Sequence, residues 1–241
     1  MPPKRATMVQ ELRECYTEEY SLAEIREWST RIIKEIDALT DKASELQGEI
    51  EKLVPATAYR AEVLQQPAVR IMPLLREYQA LCRAVFNSAE KVRLVIMIRV
   101  PEHKEEDNLG VAVQQAVLRA LDALQNRMVK GSNASSEKET SSASSAAGMF
   151  LLRDYLGARV KVEAAILNGG APSDEEQATR GKAVAPSSYT ELQQLDIDTL
   201  YKVELASRQL STAVKAFINT YVVNWKKLID PRNGANDRMV A

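Results

Sequence analysis

The sequence predicts an all-α protein built as an up-down-up-down four-helix bundle. Apolar residues recur every three or four positions over long stretches, whereas clusters of β-branched residues alternating with period two are few, and that contrast is the helical signature. The lengths of the predicted helices add a topology. At 1.5 Å per residue a last helix over 188–229 is about 63 Å long, and 111–130 alone is only about 30 Å. Together 111–130 and 149–167 reach roughly 58 Å, so both are expected in one column of the bundle. That parity places the 101–110 connector and the C-terminus at the same end.

The elements follow in order. A short helix over 4–19 precedes a long one whose stripe is Ile25, Trp28, Ile32, Ile36, Leu39, Ala43, Leu46, Ile50 and Leu53, with a mean step of about 3.5 residues. Ser21 and Glu24 have capping-box spacing and Tyr20 can staple onto Ile25, which predicts a start near 21; Pro55 marks the end. The second stripe, Leu74, Tyr78, Leu81, Val85, Ser88, Val92 and Val95, is entered through Pro67 and Pro73 and stopped by Pro101. The third runs through Val113, Val117, Leu121, Leu124 and Met128 to Gly131. Residues 131–147 hold seven serines and no large apolar side chain, so burial cannot offset their ordering entropy and a mobile loop is expected. Periodicity resumes at Met149, Leu152, Leu156, Val160 and Leu167 and stops at Asn168-Gly169-Gly170, before a flexible connector over 168–187. Ser188 and Glu191 suggest a second capping box. The last helix carries Leu192, Leu195, Val203, Leu210, Val214, Phe217, Tyr221 and Leu228, with Leu205, Ala206, Ala213 and Ile218 widening its apolar face. Such width implies burial against more than one neighbour. The expected organisation is one helical-bundle domain over 1–230 and a tail over 231–241.

Composition excludes several function classes. The chain has 241 residues, 45% hydrophobic and 27% charged, with 32 Lys and Arg against 33 Asp and Glu. A net charge of −1 provides no positive field for nucleic acid. The longest strongly apolar run, Leu94 to Ile98, is far short of the roughly 20 residues that cross a bilayer, and no signal-peptide pattern opens the chain. Two cysteines make no disulfide framework. A reducing compartment, the cytoplasm with the nucleus as alternative, is the expectation. A single histidine excludes the paired Glu-x-x-His sites of di-iron bundles, and no other cofactor motif appears, so neither metal nor cofactor is expected. His103, flanked by Glu102 and Lys104, reads as a solvated residue rather than a proton-transfer group.

Two segments carry more information. Residues 101–110 place Glu102, Glu105, Glu106 and Asp107 against one Lys104, followed by Asn108 and Gly110, a compact acidic loop suited to contact. The tail begins at Pro231 and ends in Met239, Val240 and Ala241, apolar residues leading to a carboxylate. Read alone, they fit an ordinary αα turn and a disordered end.

In sequence, the stretch Pro101-Glu102-His103-Lys104-Glu105-Glu106-Asp107-Asn108-Leu109-Gly110-Val111-Ala112-Val113-Gln114 closely resembles the activation loop of the 11S proteasome activators, especially the kinetoplastid branch. Pro2-Pro3-Lys4-Arg5-Ala6, Lys202-Val203-Glu204-Leu205-Ala206, and Asn224-Trp225-Lys226-Lys227-Leu228-Ile229 with Pro231-Arg232 extend the likeness over nearly the whole chain. The resemblance implies a non-enzymatic protomer of a homo-oligomeric, heptameric ring that caps the 20S proteasome α-subunit ring without ATP. By the same resemblance, the tail residues Met239, Val240 and Ala241 dock through main-chain groups and the terminal carboxylate. The activation loop then opens the gate, with Glu102 and Glu105 on its acidic side, Glu105 matching the family's contact residue, and Asp107, Asn108 and Gly110 matching its loop-shaping motif. Animal members have Gly-Asn-Asn where this chain has Glu106-Asp107-Asn108, and a basic insert where it has a short connector over 54–66. The competing expectation is a helical scaffold or coiled-coil adaptor of another assembly.

Overall fold

In a computed structural model, residues 5–54, 66–101, 109–130, 148–167 and 186–232 are described, and all the regular elements among them are helical. The predicted loop 131–147, most of the connector 168–187, loop residues 102–108 and tail residues 233–241 lie outside the described residues. The elements are α1 (Arg5–Cys15), α2 (Glu18–Glu27), a π-helical turn (Trp28–Ile32), α3 (Ile33–Glu51), α4 (Gln66–Met97), α5 (Leu109–Lys130), α6 (Leu151–Leu167) and α7 (Pro186–Ile229). Contacts divide the chain into two compact units. One draws on Met1–Glu35, Leu81–Val129 and Gln209–Ala241, the other on Ile36–Ala80 and Lys130–Arg208.

In the first unit, four helical runs pack antiparallel in sequence order. Arg13 meets Ile98 and Glu24 meets Ser88 and Lys91, so α1 and α2 run against the end of α4. Arg93 bonds Asp122 and Gln125, and Gln125 bonds Glu90, pairing α4 with α5 in the opposite sense. Ser21 meets Tyr221 and the Trp28 ring packs 5.8 Å from Phe217, which sets α7 antiparallel to α2. Ile25, Trp28, Val92, Ile96, Val117, Leu121, Phe217 and Tyr221 form the core. In the second unit Lys42 pairs with Glu77 and Arg70 with Glu49, while Gln193 donates to the carbonyls of Ile50 and Leu53 at 2.8 and 3.0 Å. Arg159 and Tyr155 of α6 reach Asp196 of α7, and Ile166 packs on Leu192. Up-down-up-down order therefore holds within each unit. α5 is the third helix of the one and α6 the third of the other.

The expected stripe of α4 is buried throughout, from Leu74 to Val95, and the helix continues through Pro73. Pro186 opens α7, at a first-turn position where its missing N–H is no loss, so Ser188 lies inside the helix rather than capping it.

Four expectations are corrected. The helix starts at Glu18, not near 21, with extended Thr17 ahead of it and Glu18 and Glu19 favouring the positive end of the dipole. Ser21 and Glu24 form no capping box. Ser21 Oγ donates to the Glu18 carbonyl at 3.0 Å and accepts from Tyr221, and Glu24 accepts from Ser88 and Lys91, because tertiary partners outcompete the local cap. Leu53 and Leu205 are exposed, 41% each, rather than part of their stripes. On α6 the buried register is Leu151, Tyr155, Arg159 and Ile166, whereas the expected Leu156, Val160 and Leu167 face outward. Both registers are helical, and the one containing the arginine wins because Asp196 is buried opposite it.

The π-helical turn has a visible cause. Ser29 Oγ and Thr30 Oγ1 both donate to the Arg26 carbonyl, at 2.9 and 2.8 Å, and the Ile33 N–H reaches back to the Trp28 carbonyl. Hydroxyls that compete for a helix carbonyl weaken the regular ladder and admit the wider turn.

Candidate functional site

The site is best built from the two flanks of the acidic loop and the root of the tail. α4 ends at Met97, and its last residues are carried on by turn bonds from Arg99 N–H to the Ile96 carbonyl and Val100 N–H to Met97, before Pro101. α5 begins at Leu109, and α7 ends at Ile229 with the Asp230 N–H bonded to the Lys226 carbonyl.

Gln114 holds these three chain segments together. It is fully buried, and its Nε2 donates both to the Arg99 carbonyl at 3.3 Å and to the Leu228 carbonyl at 2.8 Å. One α5 side chain therefore ties the entry strand of the loop to the last turn of the tail-bearing helix. A buried amide bonded to carbonyls beyond the helical ladders satisfies acceptors that would otherwise lose water without compensation.

Gly110 makes the second link. A Cβ built on it would lie 2.6 Å from the Pro231 carbonyl carbon and 2.7 Å from its Cα, and closer still to the carbonyl oxygen. Only glycine admits this approach, so the first turn of α5 and the root of the tail lie main chain to main chain. Among the site residues expected from sequence, Gly110 is the one described, and it is buried; Glu102, Glu105, Asp107, Asn108, Met239, Val240 and Ala241 lie outside the described residues. His103 lies outside them too. Leu109, expected at the start of the core, is 70% exposed.

Arginines surround this end. Arg13 Nε donates to the Ile98 carbonyl at 3.2 Å and Arg99 Nη1 to Val95 at 2.9 Å. Burial pushes Arg99 below its ordinary value, with Glu18 acting in the opposite sense. Tyr221, buried beside Ser21, is pushed up to about 12 by desolvation and stays a neutral donor. Arg13, Arg99 and Gln114 were not singled out from sequence. Gln114 did carry a signal: it sits three residues before Val117 on the α5 stripe, a polar side chain at a core-facing position.

Among the described residues no group of His, Cys, Asp and Glu could hold a metal ion, and no helix is long and apolar enough to cross a membrane. Geometry of this kind can present a loop and a tail from one rigid end. It defines a helical presenting protein, a binding module whose chemistry is contact.

Comparisons make the class specific. The family model described as proteasome activator PA28, C-terminal, matches residues 64–151. The chain is similar to one in a proteasome–11S activator complex, with 43% identity, 99% of this chain and 100% of that chain covered, and a TM-score of 0.76. It is similar to one in the complex of the yeast 20S proteasome with the activator PA26 from Trypanosome brucei, with 36% identity, 98% and 100% covered, and a TM-score of 0.64. A match to the Plasmodium falciparum 11S subunit PA28, 14% identical over 97% and 98% with a TM-score of 0.56, shows the shared fold. A comparison with curated proteins gives no match. The chain belongs to the 11S proteasome activator family.

Proposed function

We propose that this protein is an ATP-independent activator of the 20S proteasome, docking its C-terminal tail on the α-subunit ring and opening the gate with loop 101–110. The observation that carries the reading is the union of the two segments at one end: Gly110 abuts Pro231, and Gln114 bridges Arg99 and Leu228. A loop that acts on a gate needs a fixed height above it, and a tail rooted against the same helix turn supplies that reference. The solved relatives in complexes with archaeal and yeast 20S proteasomes support the choice of partner.

In this reading Met239, Val240 and the Ala241 carboxylate anchor each protomer. A terminal carboxylate meeting a lysine contributes roughly 1.5–3 kcal/mol, weak singly and firm when repeated around a ring. Glu102 and Glu105 with Asp107, Asn108 and Gly110 shape and present the gate contact. The ring is a homoheptamer. Outward-facing Leu156, Val160 and Leu167 on α6, and separately Val222 and Val223 on α7, support self-association because such apolar side chains gain by burial. The protein acts in the cytoplasm or nucleus, as a regulator with no hydrolytic chemistry of its own.

The test is to mix purified protein with 20S particles and follow a fluorogenic peptide without nucleotide. Stimulation is the expected result. Hydrolysis by the chain alone, or an absolute need for ATP, would overturn the reading. Mass measurement separates it from a helical adaptor: a particle of about seven times 26.8 kDa is expected, against an elongated dimer.

A further inference from the structure

Beside the Gly110–Pro231 contact lies a cleft of about 520 Å³ lined by Arg13, Glu18, Arg99, Pro101, Asp230 and Arg232, with Ile229 at its wall. Three guanidinium groups thus face two carboxylates. Arg99 is only 8% exposed and Arg13 is exposed, and neither has a carboxylate within ion-pair distance among the described residues. Each directs one N–H to a main-chain carbonyl, Arg13 to Ile98 and Arg99 to Val95, which orients the planar head. An arginine does not shed its proton, so a buried guanidinium calls for an anion nearby.

We propose that this cleft is a carboxylate seat, filled by an acidic side chain that the docking partner presents next to the tail. The inference rests on the docking function proposed above and adds a second attachment point to it. Charge counting selects the ligand: three cations and two anions leave one positive charge, a match for a single carboxylate rather than a doubly charged phosphate. Geometry agrees, since guanidinium forks bind carboxylates through paired N–H bonds. Position selects the source. The cleft wall is the tail root, Ile229 to Arg232, together with Pro101 at the loop entry, so a surface gripped by tail and loop comes within reach.

Arg13 is the residue to change, because it is exposed and lies outside the core. Full-length Arg13→Glu and Arg13→Lys should be titrated against 20S particles with peptide hydrolysis as readout, alongside particle mass and melting temperature. Arg13→Glu is expected to raise the half-saturating concentration by about tenfold, through one small loss repeated in every protomer, and to leave maximal stimulation, mass and melting unchanged. Arg13→Lys, which keeps the charge, should stay within about threefold of the parent. Added salt should weaken the parent more steeply than Arg13→Glu. Equal half-saturation for parent and Arg13→Glu overturns the seat, and so does equal impairment of both variants, which would assign Arg13 to its Ile98 bond. A fall in maximal stimulation alone would assign the cleft to the chain's own gate contact and also overturn it. If the parent does not stimulate at all, the docking function itself fails, a result distinct from each of these.

Discussion

Replacing Gly110 by alanine opposes two effects of known sign. In a helix, alanine is favoured over glycine by about 0.5–1 kcal/mol, so without a neighbour the variant would be the more stable. The neighbour is Pro231. A Cβ would sit 2.6 and 2.7 Å from two of its main-chain carbons, whereas carbon pairs rest at about 3.5–4.0 Å, so the tail root must retreat by about 1 Å. Overpacking that moves backbone costs about 1–3 kcal/mol, which outweighs the propensity gain and leaves a net loss of about 1 kcal/mol. Denaturant titration should therefore show a small destabilisation instead of a gain. The larger effect belongs to function: with the tail root displaced, loop and tail no longer share a reference, and maximal stimulation of peptide hydrolysis should fall sharply while the assembled mass is unchanged. A Gly110→Ala protein stabilised by about 1 kcal/mol and as stimulatory as the parent would refute the argument.

Other expectations are checked with the same assays. Glu105→Ala should form the ring and sediment with 20S particles but lose stimulation, with stability changed by no more than about 0.5 kcal/mol; parental stimulation would withdraw Glu105. Deleting Met239, Val240 and Ala241, or extending the chain beyond Ala241, should abolish co-sedimentation and spare assembly, and normal binding by the extended protein counts against carboxylate recognition. Gln114→Leu removes both clamp bonds from a buried position and should cost about 1–3 kcal/mol in denaturant titration, with stimulation reduced; unchanged stability would show the two carbonyls satisfied otherwise. Asp196→Ala strands Arg159 in the interior and should cost about 3–5 kcal/mol by thermal unfolding, whereas replacing Asp196 and Arg159 together by leucine and methionine should be far milder.

Periodicity made the helices legible, and it did so best where one apolar stripe had no rival. On α4 the stripe from Leu74 to Val95 is the buried one, because no neighbouring register offers comparable side chains. On α6 two registers compete, and sequence favoured Leu152, Leu156 and Val160 because the other contains Arg159. What decides is Asp196, 37 residues away, whose buried carboxylate accepts from Arg159 at 2.6 and 2.9 Å. A tertiary partner of this kind leaves no local trace. The start of the α2 run was misread for a related reason: Ser21 and Glu24 have cap spacing, but Tyr221, Ser88 and Lys91 hold them. Helix parity correctly brought the 101–110 connector and the chain's end together, since that needed only the number of antiparallel passes. The means of joining them, a glycine against a proline carbonyl and a glutamine across two chains, depended on distances that spacing does not encode.

The Gln114 clamp addresses carbonyl oxygens, a group that every residue carries. Side chains at 99 and 228 can therefore be exchanged without deleting either acceptor, while the donor exists in a single copy. Tolerance and vulnerability are thus divided unevenly across one small junction. The flanks are free to be retuned for a different partner surface, with arginine or another residue at 99, as long as the amide at 114 stays in place. An engineer who wished to redirect this end of the molecule would vary the two receiving positions and leave the giving one alone.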